Sequence, residues 1–472
     1  MNNLIGRADE RYLLQECYES GKSEFIAIYG RRRVGKTFLI KQCFQKKFAF
    51  YFTGANKIPN RRQLDNFVNE MNKQAKMSFP KVNSWFDAFS NLQILLENLP
   101  AKERKIIFID ELPWLDGKRS HFVSALDYFW NSWASARKDI MLIICGSATS
   151  WIIKKIINNR GGLHNRLTRQ IALSPFTLKE TELFLNAKGI VFDRKQIVEC
   201  YMILGGIPYY LEQLDKRYSL FQNIDNLFFR KTGFLKNEFS QLYASLFNNY
   251  ENYVKVIETL SKKRKGLTRK ELIDSSGLPN GGYLTQILEE LEQCGFIHIY
   301  NDFLKKSKEK TYQLVDFYSL FYLNFIKGEK QKDEHYWINQ IDNQKHRAWS
   351  GYAFEQVCMM HTKQIKQKLG ISGVSTTVSS WRSMVSDPAV EIDLLIHRND
   401  RITNICEIKY AKDEFVIDKN TYQNLMHKKA AFIAETKLRD AVHLTMLTTY
   451  GVKRNEYWGH IQSEVVMNDL FE

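Results

Sequence analysis

The chain has 472 residues, a formal net charge of +16 and a hydrophobic fraction of 44%, which is sufficient for several domains with separate cores. The excess of Lys and Arg favours a polyanionic partner, either nucleic acid or an anionic membrane surface. No signal peptide or apolar run of about 18 residues is visible, and the seven cysteines form no C-x-x-C pair. These features argue against a membrane span and against a disulfide or zinc framework, and they predict a cytoplasmic protein.

The alternation of apolar strands and amphipathic helices in residues 1–175 is the pattern of a parallel α/β sheet. The predicted strands are 25–29, 48–53, 105–110, 140–146 and 170–173. The predicted helices are 8–20, 36–46, 61–75, 84–98 and 119–137. Three further segments follow: a mostly helical one at 176–248, a compact helical one with two short strands at 249–316, and a mixed α/β one at 317–472.

An octet directly after the first strand fits the pattern G-x-x-x-x-G-K-[ST] of the phosphate-binding loop. It reads Gly30-Arg31-Arg32-Arg33-Val34-Gly35-Lys36-Thr37, and Phe38 continues into a helix. A strand, a tight turn and a helix N-terminus place backbone N–H groups around a polyphosphate. Lys36 is predicted to reach the β- and γ-phosphates, and the Thr37 hydroxyl to ligate Mg²⁺. ATP with Mg²⁺ is therefore the predicted ligand.

Polar residues follow two later strands of the same segment. Asp110 and Glu111 end the strand at 105–110. Asp110 is predicted to hold the water shell of the Mg²⁺, and Glu111 to polarise the attacking water. Ser147 follows the strand at 140–146, and its hydroxyl either senses the γ-phosphate or caps the next helix.

Arg166 follows the diglycine Gly161-Gly162. A flexible segment of this kind can deliver an arginine finger to the γ-phosphate. The alternative is that Arg166 is an ordinary surface arginine. A finger acting on a neighbouring copy would imply a homo-oligomer, so both the role and the oligomeric state stay open.

Two further motifs resemble a family. The run Asn3-Leu4-Ile5-Gly6-Arg7-Ala8-Asp9-Glu10 is similar to the Gly-Arg-x-x-Glu box of the AAA+/STAND group of P-loop ATPases. The run Gly205-Gly206-Ile207-Pro208 is similar to the Gly-x-Pro element of that group's helical lid, although its residues alone indicate only a turn. The resemblance to archaeal-type ATPases of this group extends to about residue 330.

The resemblance implies that Ile5, Gly6 and Arg7 lie near the adenine and that Pro208 packs over the base. It also implies a switch in which ATP hydrolysis lets the lid move. The arginine-rich interior of the loop departs from the family pattern, which leaves open whether one of these arginines also serves a partner.

The segment 249–316 has the pattern of a winged helix-turn-helix. Thr268 and Glu271 form a capping box at the start of its second helix, and a third helix begins at Tyr283. A basic wing with Lys305, Lys306, Lys308 and Lys310 and the nearby run 262–265 predict contacts with phosphates. DNA is the expected nucleic acid, in preference to RNA. Acidic residues on the third helix favour the alternative of a protein-docking module.

A second group of candidate catalytic residues lies near the C-terminus. Glu407 and Lys409 are two residues apart on a predicted strand, so they share one face, and Asp393 lies on the preceding strand of a hairpin. Glu355 lies on an earlier helix. Carboxylates around one point can hold Mg²⁺ on a phosphodiester, with a lysine stabilising charge.

This set resembles the PD-(D/E)XK nuclease fold over about residues 345–450. The resemblance implies that Asp393 and Glu407 bind the metal, that Glu355 and Lys409 assist, and that Gln423 supplies a supporting polar group. The predicted protein is an α/β P-loop ATPase with a helical lid, a winged helix and a nuclease-like C-terminal domain. The alternative is an ATP-dependent DNA- or protein-binding regulator whose C-terminal domain does not cut.

Overall fold

The computed structural model describes the residues 4–75, 77–100, 103–159, 161–163, 165–301, 303, 310–328, 333–341, 343–383, 385–386, 388 and 390–472. The chain divides into two compact units, Met1–Pro175 and Phe176–Glu472. Across the described ranges, no helix combines the length and the apolar character needed to cross a membrane.

The first unit is built on a five-stranded sheet in which every neighbouring pair is parallel. Its strands are β1 Glu24–Tyr29, β2 Phe48–Thr53, β3 Lys105–Asp110, β4 Ile140–Cys145 and β5 Arg169–Ala172, in the spatial order β2-β3-β4-β1-β5. Its helices are α1 Ala8–Glu19, α2 Lys36–Phe44, α3 Asn60–Ala75, α4 Trp85–Glu97, α5 Phe122–Ser132 and α6 Thr149–Ile152. The predicted parallel α/β sheet is confirmed.

The three inner strands of this sheet, β1, β3 and β4, are buried on both faces, as expected for parallel strands covered by helices. On one face of the sheet, alternate residues of four strands pack against the apolar sides of α3, α4 and α5. On the other face, the ring of Phe48 lies 6.5 Å from that of Phe44 on α2 and 5.8 Å from that of Phe108 on β3. The hydrophobic core therefore holds the carboxyl ends of the strands at one edge.

Two of the predicted helices are cut short where the backbone leaves helical geometry. The helix predicted at 119–137 spans Phe122–Ser132, because His121 is left-handed (φ 54°) and Trp133 leaves helical geometry (φ −139°). The helix predicted at 36–46 ends at Phe44, because Gln45 has φ 38°. Both corrections concern helix ends, where local backbone geometry overrides the hydrophobic pattern.

The second unit begins with a helical segment and continues into a small three-stranded sheet. Its first helices are α7 Leu178–Ala187, α8 Arg194–Leu204, α9 Pro208–Leu211, α10 Leu220–Ile224, α11 Glu238–Leu246, α12 Tyr250–Ser261, α13 Arg269–Ser276 and α14 Gly282–Gln293. The strands β6 Leu267–Thr268, β7 Ile297–Asn301 and β8 Lys310–Leu314 pair antiparallel in the order β6-β8-β7. The predicted capping box of Thr268 and Glu271 opens α13.

The second unit ends in a mixed five-stranded sheet. Its strands are β9 Thr376–Arg382, β10 Glu391–Arg398, β11 Ile402–Lys409, β12 Ala441–Thr448 and β13 Ser463–Val466, in the order β13-β12-β11-β10-β9. The strands β9, β10 and β11 are antiparallel, whereas β11, β12 and β13 are parallel. The helices α15 Phe317–Phe325, α16 Gln344–Met360 and α17 Thr362–Lys368 precede this sheet, and α18 Lys419–Thr436 connects β11 to β12.

Short 3₁₀ or π segments complete the secondary structure. They are Gln45–Lys47, Leu112–Leu115, Ala134–Ala136, Ile153–Ile157, Asp225–Phe229, Ile338–Gln340, Trp458–His460 and Met467–Phe471. Asn3 and three of the predicted wing lysines, Lys305, Lys306 and Lys308, lie outside the described residues.

Candidate functional site

The predicted phosphate loop joins the end of β1 to the start of α2. Gly30 has φ 136°, and a Cβ at this position would lie 2.3 Å from the carbonyl oxygen of Leu173, so only glycine fits. Arg33 (φ 73°) and Gly35 (φ 90°) are also left-handed. Gly35 directly precedes α2, so the first free N–H groups of that helix lie at the loop.

The amine of Lys36 is held within this loop. Its Nζ donates hydrogen bonds to the carbonyl oxygens of Gly30 and Arg31, each at 2.8 Å. Lys36 is only 6% exposed, which keeps its charge on the inner side of the loop. Arg31 and Val34 are buried, Arg32 is half-buried, and the ring of Phe38 is exposed.

Thr37 and Asp110 meet beneath the loop. The Thr37 hydroxyl donates a hydrogen bond of 2.8 Å to Oδ2 of the buried Asp110. Oδ1 of Asp110 accepts a hydrogen bond of 2.9 Å from the N–H of Glu111. A hydroxyl and a carboxylate so close together are oxygen ligands of the kind Mg²⁺ prefers, so the donor set fits this ion.

Glu111 lies beside Ser147. The residue is left-handed (φ 49°), and its two carboxylate oxygens accept hydrogen bonds from the Ser147 hydroxyl at 3.0 and 2.9 Å. The helix α6 is preceded by Ala148 and has no side-chain cap. The capping alternative for Ser147 is therefore wrong, because its hydroxyl is engaged with Glu111.

The segment before α1 also contacts the loop. Gly6 (φ 67°) and Arg7 (φ 59°) are both left-handed, and Nη2 of the buried Arg7 donates a hydrogen bond of 3.1 Å to the Val34 carbonyl oxygen. Ile5 is half-buried. In the second unit, Pro208 is the first residue of the short helix α9. The roles of these residues at the adenine stay predictions.

Arg166 precedes β5 and therefore lies near the amino ends of the strands, whereas the phosphate loop lies at their carboxyl ends. Two residues after it, the N–H of Thr168 donates a hydrogen bond of 2.8 Å to the carbonyl oxygen of Phe25, at the beginning of β1. The phosphate loop follows the opposite end of β1, and a strand of this length spans about 17 Å. Thr168 therefore lies at the end of β1 opposite the loop, and a role of Arg166 at the γ-phosphate stays a prediction.

The second unit brings the C-terminal candidates together. Leu394 on β10 pairs with Cys406 on β11, so the next residues along these strands are Asp393 and Glu407. Lys409 Nζ lies 2.9 Å from Oε1 of Glu407, as their shared strand face requires. Burial, followed by the charge of Asp393, raises the pKa of Glu355 to about 8.

Two lysines that the sequence analysis missed complete this cluster. Lys428 Nζ, on α18, lies 2.7 Å from Oε2 of Glu407. Lys265, directly before Gly266 and β6, has its Nζ 3.1 Å from Oδ1 of Asp393 and also pairs with Glu391. Burial opposes the ionisation of Glu407, but Lys428 and Lys409 together lower its pKa.

Gln423 does not have the supporting role that the resemblance implies. Its side chain is exposed, and Lys428, five residues later on the same helix, makes the contact. The contact of Lys428 could have been predicted from its position on the helix that follows β11. The contact of Lys265 could not, because this residue is distant in sequence from the carboxylates.

The carboxylates of this cluster do not form a metal site in the arrangement described. Both oxygens of Glu407 face lysine amines, and Asp393 faces Lys265. Within the described ranges, no three His, Cys, Asp or Glu residues are gathered in a way that could hold a metal ion. The arrangement therefore does not support the predicted Mg²⁺ ligands Asp393 and Glu407, because ammonium groups balance their charge.

The basic run 262–265 is also engaged within the chain. Lys263 Nζ lies 2.6 Å from Glu271, and Nη1 of Arg264 donates a hydrogen bond of 2.9 Å to the Ala348 carbonyl oxygen. Together with the contacts of Lys265, these bonds occupy three of the four cations that were predicted to contact phosphates.

Comparison with known proteins finds a family match for the first part of the chain. Residues 5–214 match a family described as an ATPase domain predominantly from Archaea. The chain is 25% identical over 432 residues to the uncharacterized protein MJECL04 of Methanocaldococcus jannaschii, covering 90% of this chain and 91% of that protein. It is 41% identical over 44 residues to the uncharacterized ATP-binding protein MJ0423 of the same organism, covering 9% of this chain and 75% of that protein.

The chain is also similar to a solved structure, the Walker-type ATPase paby2304 of Pyrococcus abyssi. The TM-score is 0.48 at 17% identity, covering 68% of this chain and 96% of that structure.

We expect Lys428→Met to destabilise the protein by about 1–3 kcal/mol, because it leaves one oxygen of a buried carboxylate without its charged partner. Urea unfolding of the purified chain measures the change. The matched control is Lys429→Met, which removes the same charge from the next position of the same helix. Equal stabilities for the two variants would show that the bond between Lys428 and Glu407 contributes nothing.

Proposed function

We propose that this protein is a switch ATPase of the AAA+/STAND type, which binds and hydrolyses ATP at the loop from Gly30 to Thr37. The observation that carries the proposal is the connected set of contacts beneath the loop. Thr37 donates to Asp110, the backbone of Glu111 donates to Asp110, and Ser147 donates to the Glu111 carboxylate. The family match over residues 5–214 supports the same activity.

Each of these residues has a distinct task in the proposed reaction. Lys36 and the first N–H groups of α2 bind the phosphates of ATP, because both present positive charge to the anion. Thr37 and Asp110 would hold Mg²⁺, which when bound offsets the charge on the phosphate oxygens. Glu111 accepts a proton from the attacking water, and Ser147 orients its carboxylate.

We expect Lys36→Ala to weaken ATP binding at least tenfold, because it removes the loop's buried cation. Glu111→Gln should keep ATP binding but lower turnover by roughly a hundredfold or more, since the amide cannot accept the proton. Labelled-nucleotide retention and phosphate release measure the two effects. The matched control is Glu103→Gln, which makes the same change just before the start of β3, at the end of the strand opposite Glu111. If the wild-type protein released phosphate only at the background rate, the proposed ATP hydrolysis would be wrong.

We further propose that Arg166 acts on the ATP of a neighbouring copy. Its place at the edge opposite the loop of its own chain favours this arrangement over an internal finger. The protein would then work as a homo-oligomer whose ATP sites are completed between copies.

Mixing two inactive variants tests this arrangement. Lys36→Ala keeps the arginine but has a defective loop, and Arg166→Ala keeps the loop but lacks the arginine. We expect each variant alone to release little phosphate and a mixture of the two to regain activity, because the mixture contains complete sites. If Arg166→Ala alone kept full activity, Arg166 would be an ordinary surface arginine with no part in hydrolysis.

For the second unit, we propose a winged helix-turn-helix at 249–316 and a nuclease-like fold at 317–472. The order of α12, β6, α13, α14, β7 and β8, with β8 between the other two strands, supports the first assignment. The mixed sheet with Glu407 and Lys409 on one strand supports the second. The lysine contacts of Asp393 and Glu407 favour the regulator alternative, in which this domain does not cut in the state described.

The net charge of +16 favours nucleic acid as the partner, with DNA preferred. The exposed side of α14 carries Tyr283, Gln286, Glu289 and Glu292 and no Lys or Arg, so the proposed contact lies on the wing lysines.

We expect the triple change of Lys305, Lys306 and Lys308 to Ala to weaken DNA binding. Binding should weaken for every DNA sequence to a similar extent. The slope of log affinity against log salt should become less steep by about 2–3, because each lysine releases about one counterion. Fluorescence anisotropy with duplex DNA, single-stranded DNA and RNA measures both quantities. Absence of binding by the wild-type protein would favour a protein partner instead.

A further inference from the structure

The buried side chain of Gln63 bridges two segments that follow neighbouring strands of the parallel sheet. Gln63 lies on α3 and is 1% exposed. Its Oε1 accepts a hydrogen bond of 3.2 Å from the N–H of Ala55. Its Nε2 donates hydrogen bonds of 2.6 and 3.0 Å to the carbonyl oxygens of Ala55 and Trp114. One amide therefore joins the segment after β2 to the segment after β3.

The segment after β2 lies against the backbone of Glu111. The N–H of Gly54, directly after β2, donates a hydrogen bond of 2.9 Å to the carbonyl oxygen of Asp110. A Cβ at Gly54 would lie 2.6 Å from the carbonyl oxygen of Glu111, so this close approach requires glycine. Gln63 holds the residue that follows Gly54 and thereby fixes the segment against which Glu111 packs.

The segment after β3 begins at Glu111 itself. Glu111 is left-handed (φ 49°), a conformation that is unfavourable for a residue with a side chain and persists only where its surroundings fix it. The short 3₁₀ helix Leu112–Leu115 follows, in which the N–H of Trp114 donates a hydrogen bond of 3.1 Å to the carbonyl oxygen of Glu111. Gln63 binds the carbonyl oxygen of Trp114 and therefore stabilises the turn that holds Glu111.

A second glutamine on α3 contacts β2 in the same way but does not reach the segment after β3. Oε1 of Gln74 accepts a hydrogen bond of 2.9 Å from the N–H of Tyr51, and its Nε2 donates one of 2.6 Å to the carbonyl oxygen of Tyr51. Because β2 is the edge strand, such side chains pair backbone groups that no further strand reaches. The edge strand alone does not account for the additional bond from Gln63 to Trp114.

We propose that Gln63 is a positioning residue for ATP hydrolysis, which fixes the backbone of Glu111 and with it the place of the carboxylate. The inference rests on the proposed function, because it takes Glu111 as the group that accepts the proton. Gln63 acts only through Glu111, since both N–H groups of its amide are donated to Ala55 and Trp114. A displacement of the carboxylate by about 1 Å is enough to lower the rate roughly a hundredfold.

The experiment compares ATP binding with turnover in the full chain. Gln63→Met is close in size to the native side chain but removes its hydrogen bonds. We expect kcat to fall about 10- to 100-fold while the affinity for labelled ATP stays within about twofold of wild type, because the phosphate loop is unchanged. The matched control is Gln74→Met, which removes the same pair of bonds to β2 from the same helix and should hydrolyse ATP like the wild-type protein.

Two further variants separate positioning from stability. Gln63→Asn keeps the amide but is one carbon shorter, so it cannot span Ala55 and Trp114 and should also lose turnover without losing ATP. Adding Gln63→Met to Glu111→Gln should lower turnover no further, because the double variant already lacks the carboxylate through which Gln63 acts.

Equal kcat for the wild-type protein and both Gln63 variants would overturn the inference and leave the proposed ATPase activity intact. A further loss in the double variant, an equal loss in Gln74→Met, or a loss of ATP binding by both Gln63 variants would also overturn it, because the effect would then not pass through Glu111. Background phosphate release by the wild-type protein would reject the inference together with the proposed activity.

Discussion

The parallel register of β1, β3 and β4 is the constraint on which the candidate nucleotide site depends. Parallel strands end at the same edge of their sheet, so the residues that follow them meet without any long connection. Lys36 and Thr37 come after β1, Asp110 ends β3, and Ser147 comes after β4. The hydrogen bonds from Thr37 to Asp110 and from Ser147 to Glu111 are direct results of this arrangement.

The two acidic sites of the chain differ in what faces their carboxylates. Asp110 is contacted by a hydroxyl and a backbone N–H, which leaves its negative charge available to a metal ion. Glu407 is contacted by the ammonium groups of Lys409 and Lys428, which balance its charge within the protein. The first arrangement suits a site that binds Mg²⁺ with its nucleotide, and the second suits a site that is stable without an ion.

The difference also bears on how the second unit could work. Lys265 comes from the segment before β6, whereas Asp393 lies on β10, so their ion pair links two parts of the unit that are distant in sequence. The contact holds the segment before the small sheet against β10 of the mixed sheet.

The sequence by itself determined the five parallel strands, the phosphate loop and the acids after β3, because these features depend on local hydrophobic patterns and on spacing within single elements. It also placed Glu407 and Lys409 on one face, since alternate residues of a strand point the same way. Only the tertiary structure decided that Ser147 binds Glu111, that Lys428 and not Gln423 contacts Glu407, that Arg166 lies away from the loop of its own chain, and that Lys265 reaches Asp393. These contacts join residues far apart in the chain, and their geometry depends on how whole elements pack, which no local pattern encodes.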